Sequence, residues 1–209
     1  MSVSGSDDLL RMTGQTVLPG DLRPPRCALA PASDEQVLKR AYSCFPSGVV
    51  AVCCFFPDGA PPHGQSVDGV SPDAADGVRL VGMAASAFTT VSLHPPLVSL
   101  CVQNSSTTWP QLRDAPAIGV SVFASDQGAL CRQMAGPADH RFDGLHPYGT
   151  DAGALFVPGA AAVLSCTVHA EIPAGDHTVV LLRIESLACD PGVDPLVFHA
   201  STFRALEAR

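Results

Sequence analysis

The chain has 209 residues, 46% of them hydrophobic, and a formal net charge of −8 at pH 7 from 12 Lys plus Arg against 20 Asp plus Glu. That content can bury one full core, while a single lysine, Lys39, and scattered arginines leave no basic stripe for a phosphate backbone, so nucleic acid is not an expected partner. No apolar stretch approaches the roughly 20 residues of a membrane span, and the N-terminus lacks the basic-then-apolar order of a secretory signal, which predicts a soluble cytoplasmic protein with no membrane association.

Residues 1–30 are rich in Ser, Gly, Pro and Asp and read as a flexible N-terminal arm ahead of one domain over 31–209. Ser33-Asp34-Glu35-Gln36 has the form of a capping box, so Ser33 is expected to open a helix carrying Val37, Ala41, Cys44 and Phe45, stopped by Pro46. Gly48 to Phe56 read as strand, and Pro57 to Gly77 as a long Pro/Gly/Asp-rich loop. Strands are predicted at Val78 to Ala84 and at Leu97 to Gln103, a short helix from Trp109 to Asp114, and a strand from Ala117 to Ala124. A helix capped by Ser125 is expected to run to Ala135. Two long strands, Ala161 to Glu171 and His177 to Ala188, are joined by Ile172-Pro173-Ala174-Gly175-Asp176, and a last strand covers Leu196 to His199. Six or seven strands joined as hairpins, with about three helices, predict a mainly β fold: an antiparallel barrel with helices outside it.

The eight cysteines form no C-x-x-C pair and sit mostly in apolar runs, so they read as buried thiols packed like alanine. The neighbours Cys53 and Cys54 must face opposite sides of a strand. There is no G-x-G-x-x-G after a strand, no P-loop, no G-x-S-x-G and no H-E-x-x-H. His169-Ala170-Glu171 is half of a zinc-deaminase signature without its P-C-x-x-C, and the spacing of His140 and His146 suits no usual zinc pair, so no metal centre is expected.

Two segments carry a ligand signal by composition, and a third is notable beside them. From Gly82 to Val98 an apolar run breaks into small and hydroxyl residues, Ala84-Ala85-Ser86-Ala87-Phe88-Thr89-Thr90-Val91-Ser92, and resumes after Pro95-Pro96; such residues let a flat polar ligand approach the backbone. Gln103-Asn104-Ser105-Ser106-Thr107-Thr108 lies between a strand and a helix start, where hydroxyls and free N–H groups suit an anion. An ordinary N-cap with Ser/Thr filler is the competing reading there. Gly175-Asp176-His177 is by composition a hairpin turn opening a strand.

Together these segments resemble the short-chain flavin reductases, the small partners of two-component flavin-dependent monooxygenases. Phe45-Pro46-Ser47-Gly48-Val49-Val50, Arg141-Phe142-Asp143-Gly144, Gly159 to Cys166, and Pro195-Leu196-Val197-Phe198-His199 with Phe203-Arg204 match further motifs of that family in consistent order over roughly residues 33–206. The resemblance implies an FMN-binding split β-barrel and hydride transfer from NADH, or NADPH, to FMN or FAD. Ser47, Gly48 and Val49, with Ala84, Ala85, Ser86, Ala87, Phe88, Thr89, Thr90 and Ser92, would hold the flavin ring and ribityl chain; Ser105, Ser106 and Thr107 would take its phosphate. His177, with Asp176, Arg141 and Phe142, would approach the nicotinamide nucleotide, His177 acting in the catalytic step. A homodimer and a partner monooxygenase receiving reduced flavin are also implied.

Departures from the family pattern are Ala84 where threonine is common, Ser165 for a glutamate, Ala200-Ser201 for a glycine region, and a long 57–77 loop. Plain readings stand beside the implied roles: Phe88, Val91 and Leu97 as core, Ser92 as a turn cap, His94 as a loop residue, His199 as structural, and Arg141 in a surface ion pair. The alternative function is a flavin-binding protein of the same fold that holds flavin as a prosthetic group or carrier; a third is a scaffold whose site has decayed.

Overall fold

The structure, a computed structural model, describes residues 31–56 and 77–206; the expected arm and the excursion at 57–76 lie outside the described residues. The chain divides between Phe45 and Pro46 into two units. In the first, α1 (Glu35–Ser43) is capped by Asp34, whose Oδ1 accepts the N–H groups of Gln36 and Val37 at 2.8 and 3.2 Å. Asp34 takes the place expected of Ser33 because its extended backbone (φ −88°, ψ 108°) aims a carboxylate at the first turn, where the charge also complements the helix dipole.

The second unit contains β1 (Ser47–Gly48), β2 (Val50–Phe56), β3 (Arg79–Ala85), β4 (Phe88–Leu93), β5 (Pro96–Gln103), α2 (Trp109–Arg113), β6 (Ile118–Val122) and α3 (Gly128–Met134). After a 3-10 turn at Ala138–His140 come β7 (Tyr148–Gly149), β8 (Leu155–Phe156), β9 (Ala162–Ala174), β10 (His177–Cys189), β11 (Val197–His199) and β12 (Thr202–Arg204). The principal sheet is antiparallel and seven-stranded, in the order β3-β2-β6-β9-β10-β5-β4; β1-β11-β12 and β7-β8 form small sheets beside it.

The two end strands of that sheet, β3 and β4, are joined in sequence by Ser86 and Ala87 alone. Laid flat, seven strands would hold the end strands about 29 Å apart, six spacings of ~4.8 Å. Three backbone steps from Ala85 to Phe88 reach no more than about 11 Å. The sheet must therefore curl until its ends converge at the Ser86-Ala87 link, although β3 and β4 do not pair with each other.

The curl separates two apolar layers. Val50, Val52, Cys54 and Phe56 of β2 point into the inner core with Leu100, Ile118, Val120, Val180 and Leu182. Ala51 and Cys53 point the other way, under Phe123, Cys131, Met134 and Phe142. β2 is a continuous apolar run because both its faces are covered, and Cys53 and Cys54 take opposite sides as their adjacency requires. Gly119 of β6 is set by packing: a Cβ there would collide with the backbone of Leu155 in β8.

Several expectations need correction. The helix expected behind Ser125 begins at Gly128 behind Gln127; Gln127 Oε1 accepts the Ala124 N–H at 2.9 Å and its Nε2 donates to Pro158 O at 2.7 Å, while Ser125 N–H is taken by Asp194 O. Phe88–Leu93 is a strand despite its hydroxyls, since Thr and Val fit a pleated surface well. The short strands β7, β8 and β12 carry too few residues for any periodicity to show. Of the cysteines, Cys53, Cys54, Cys131 and Cys166 are buried, but Cys44, Cys101 and Cys189 are exposed, and Cys27 lies outside the described residues.

Candidate active site

A cavity of about 530 Å³ opens at the corner where the sheet's ends converge, within the 300–1,000 Å³ usual for small-molecule sites. One wall is the end of β3 and the link: Met83, Ala84, Ala85, Ser86 and Ala87. Next to it, with Cys101 N–H donating to Ala87 O at 3.0 Å, come the end of β5 and the loop after it: Cys101, Val102 and Gln103, then Ser105, Ser106, Thr107 and Thr108. Met134 and Ala135 from the end of α3, together with Arg141 and His177, complete the lining. A second cavity of about 250 Å³ shares Ala84, Ala85, Ser86 and Ala135 with the first and is otherwise lined largely by apolar groups, Val49, Cys131, Phe198 and Phe203. The small side chains of the link therefore separate a polar chamber from an apolar one.

The loop from Gln103 to Thr108 is ordered by its own bonds. Ser106 N–H donates to Gln103 O at 2.9 Å, Ser106 Oγ accepts the Trp109 N–H at 3.1 Å, and Gln111 Nε2 donates to Thr107 O at 3.0 Å. Trp109 is buried and donates Nε1–H to Glu171 Oε1 at 2.6 Å, anchoring α2 to β9. Since α2 is only five residues long, its dipole adds little to this anion site. Positive charge comes instead from Arg141.

Arg141 is not in a surface ion pair, and among the described residues no carboxylate pairs with it. Its Nε donates to Gly136 O at 2.9 Å and its Nη1 to Gly82 O at 2.7 Å and Thr108 Oγ1 at 2.9 Å. One guanidinium thus clasps the segment after α3, strand β3 and the hydroxyl loop. Burial lowers its pKa from the ordinary value, with the nearby Cys53 opposing that shift, and the group remains a cation in the cavity wall. The loop that presents it is held by Gln133, whose Nε2 donates to the carbonyls of His140, Arg141 and Asp143 at 3.2, 3.2 and 2.9 Å.

His177 starts β10 opposite Gln103 and lines the polar chamber. Its Nδ1 lies 2.8 Å from Asp176 Oδ1, and the hydrogen bond and charge of His177 hold that carboxyl below the usual carboxylate range. With Nδ1–H committed to Asp176, Nε2 is the nitrogen free to meet a ligand.

The structure brings together Ala84, Ala85, Ser86, Ala87, Ser105, Ser106, Thr107, Arg141 and His177 around one chamber. The other predicted site residues lie elsewhere. Val49 lines only the apolar chamber, and Ser47 and Gly48 of β1 pair with Phe198 and Val197 of β11 beside it. Phe88 packs on the inner core, while Thr89 and Thr90 are exposed on β4 outside both chambers. Ser92 Oγ accepts the His94 N–H at 3.2 Å, the turn-cap arrangement. Phe142, placed on the nicotinamide side by resemblance, is a core side chain, 6% exposed in the outer layer; a Cβ on Gly82 would lie 2.8 Å from its ring. The Asp176 carboxylate is itself 93% exposed and reaches the chamber only through His177. Cys101, Val102, Met134 and Ala135 also line the chamber although no motif marks them, because only the packing of β5 and α3 brings them there.

The sequence profile described as "Flavin reductase like domain" matches residues 42–207. The chain is 40% identical over 126 residues to an NADH-dependent flavin reductase of Rhodococcus sp., covering 60% of this chain and 70% of that protein. It is 36% identical over 125 residues to the reductase component of 4-hydroxyphenylacetate 3-monooxygenase of Thermus thermophilus, covering 60% and 78%. Among solved structures, the NADH:FAD oxidoreductase of Streptomyces globisporus in complex with NAD and FAD fragments superposes with a TM-score of 0.71 at 28% identity, covering 87% of this chain and 98% of that one.

Proposed function

The chain belongs to the flavin reductase like family, and from that premise we propose that it transfers a hydride from NADH to FMN or FAD and supplies reduced flavin to a flavin-dependent monooxygenase. The observation that carries this reading is the convergence of the small-residue link, the hydroxyl loop, Arg141 and His177 on one chamber. The Rhodococcus relative is named for NADH, the Streptomyces structure for NAD and FAD, and the Thermus relative as a monooxygenase component, which supports NADH over NADPH and a partner oxygenase.

The residues present fit a flavin. A flavin has a flat, largely apolar ring at one end and a phosphate at the other, and here an apolar and a polar chamber adjoin across Ala84, Ala85 and Ser86. When bound, the flavin supplies the hydride acceptor, and the protein supplies binding, orientation and shielding. Ala84 and Ala85 present no side chain beyond Cβ, so a ring can lie close to the β3 backbone. Ser105, Ser106 and Thr107 offer hydroxyl donors to a phosphate, and Arg141 offers the compensating charge while keeping Thr108 and Gly82 in place. His177, oriented by Asp176, presents Nε2 to the nicotinamide nucleotide. Holding two reactants face to face converts a bimolecular encounter into an effectively unimolecular one, so no acid–base dyad is needed.

The same reading includes closure of the curled sheet into a split barrel, a homodimer, a cytoplasmic location, and residues 1–30 as an arm ahead of the domain. Purified protein should oxidise NADH only when FMN or FAD is added or retained, followed by loss of NADH absorbance. His177→Ala should raise the KM for NADH about tenfold while leaving flavin binding within about twofold. Tightly held flavin with no NADH oxidation would select the carrier alternative.

A further inference from the structure

Asn104 lies between the two halves of this site and belongs to neither in the reading above. It follows β5 directly, at the point where the β5–β10 ladder ends with the pair Gln103 and His177. Its backbone N–H donates to Asp176 O at 3.0 Å. Its side-chain Nδ2 donates to Gly175 O at 3.2 Å, and its Oδ1 accepts from Thr178 Oγ1 at 2.9 Å. All three bonds go to residues flanking His177, and the next residues along the chain, Ser105 to Thr107, line the same chamber.

From this geometry we infer that Asn104 is a positioning residue: it ties the turn that carries His177 to the end of β5, so that His177 keeps its place at the chamber, while the loop of Ser105, Ser106 and Thr107 is held independently by its bonds to Gln103, Trp109 and Gln111. The need for asparagine follows from the bond set, because the side chain must donate to a carbonyl and accept from a hydroxyl at once. Aspartate lacks the donor and alanine lacks both. The turn requires an external tie, since it is the two-residue tip of a long hairpin and residues 171–176 are all exposed. Gly175 at φ +66° lets the tip reverse direction, and the bonds from Asn104 hold it against β5.

This inference rests on the proposed reductase function, and the test separates the two. Wild type, Asn104→Ala, His177→Ala and the double variant are compared by steady-state NADH oxidation, with KM measured separately for NADH and for added flavin and with melting temperatures recorded. Asn104→Ala is expected to raise the KM for NADH about fivefold and to leave the KM for flavin within about twofold. Because Asn104 acts through His177, the double variant should match His177→Ala, a non-additivity that a general loss of stability would not produce. Thr178→Val removes one of the two side-chain bonds while keeping a β-branched strand residue, and should raise the KM for NADH about twofold, vanishing in the His177→Ala background. If Asn104→Ala does not fold, the Thr178→Val pair decides alone. Additive effects, an equal rise in the flavin KM, or an unchanged NADH KM would overturn the positioning role while the reductase reading stands. A wild type without flavin-dependent NADH oxidation, or a His177→Ala variant indistinguishable from it, would overturn both.

Discussion

Cys101 is the exposed thiol in the cavity wall, and its chemistry differs from that of the buried cysteines. Burial pushes the Cys54 and Cys166 thiols up to about 12, Cys131 to about 11, and Cys53 higher still, so none of these forms the reactive thiolate near neutral pH. Alkylation of the native protein followed by peptide mapping should therefore mark Cys44, Cys101 and Cys189 and spare those four. Saturating FMN or FAD should protect Cys101 and leave Cys189 unaffected; a Cys101 rate insensitive to flavin would move the ligand out of the polar chamber. The same contrast between type and placement governs Arg141. Its sequence motif marks it as important, but its three acceptors, on three separate segments, exist only after folding.

At the scale of elements, the β11–β12 hairpin carries backbone strain. Ala200 and Ser201 sit at φ 49° and 58°, both in the left-handed region, in a two-residue turn closed by His199 and Thr202. Two positive φ angles are the pattern of a type I′ turn, which favours Asn-Gly. The replacement Ala200→Asn with Ser201→Gly should stabilise the protein by about 1 kcal/mol, raising the melting temperature by about 3 °C. The strain is placed near function: the turn sets Phe198 against Phe203, centroids 5.5 Å apart, and both rings line the apolar chamber. Because the substitution keeps the hairpin, flavin KM should not change. A loss of stability in denaturant unfolding would mean that some contact of Ala200 or Ser201 outweighs the relief of strain.

For the whole molecule, among the described residues β4 is an end strand with one unpaired edge, and on it Val91 is 49% and Leu93 83% exposed. Apolar side chains on an open edge invite association unless covered. Covering them by a second copy accords with the proposed homodimer, and light scattering should give twice the 21.6 kDa chain mass. A monomer mass at working concentration would remove the dimer from the proposed function without touching the site, since every lining residue named above comes from one chain.

Long elements were legible because their signal extends over many residues. β2 reads as a strand from an unbroken apolar run, and β9 and β10 as two strands around Gly175-Asp176; that both faces of β2 are covered is decided by the fold. The small residues of the link and the Ser/Thr loop stand out in the sequence by type alone, since close approach to a backbone needs small side chains and anions need donors. The amino-acid order by itself thus determined the mainly β class, the family and the local chemistry of each motif. Tertiary structure alone decided which motifs share a chamber: Phe142 goes to the core, Thr89 and Thr90 to the outer surface, Cys101 to the cavity, and Asn104 to the seam between turn and loop. The physical reason is that a residue's chemistry is local, whereas its neighbours are chosen by strands far apart in sequence, and the strand order that sets the curl of the sheet leaves no local signature.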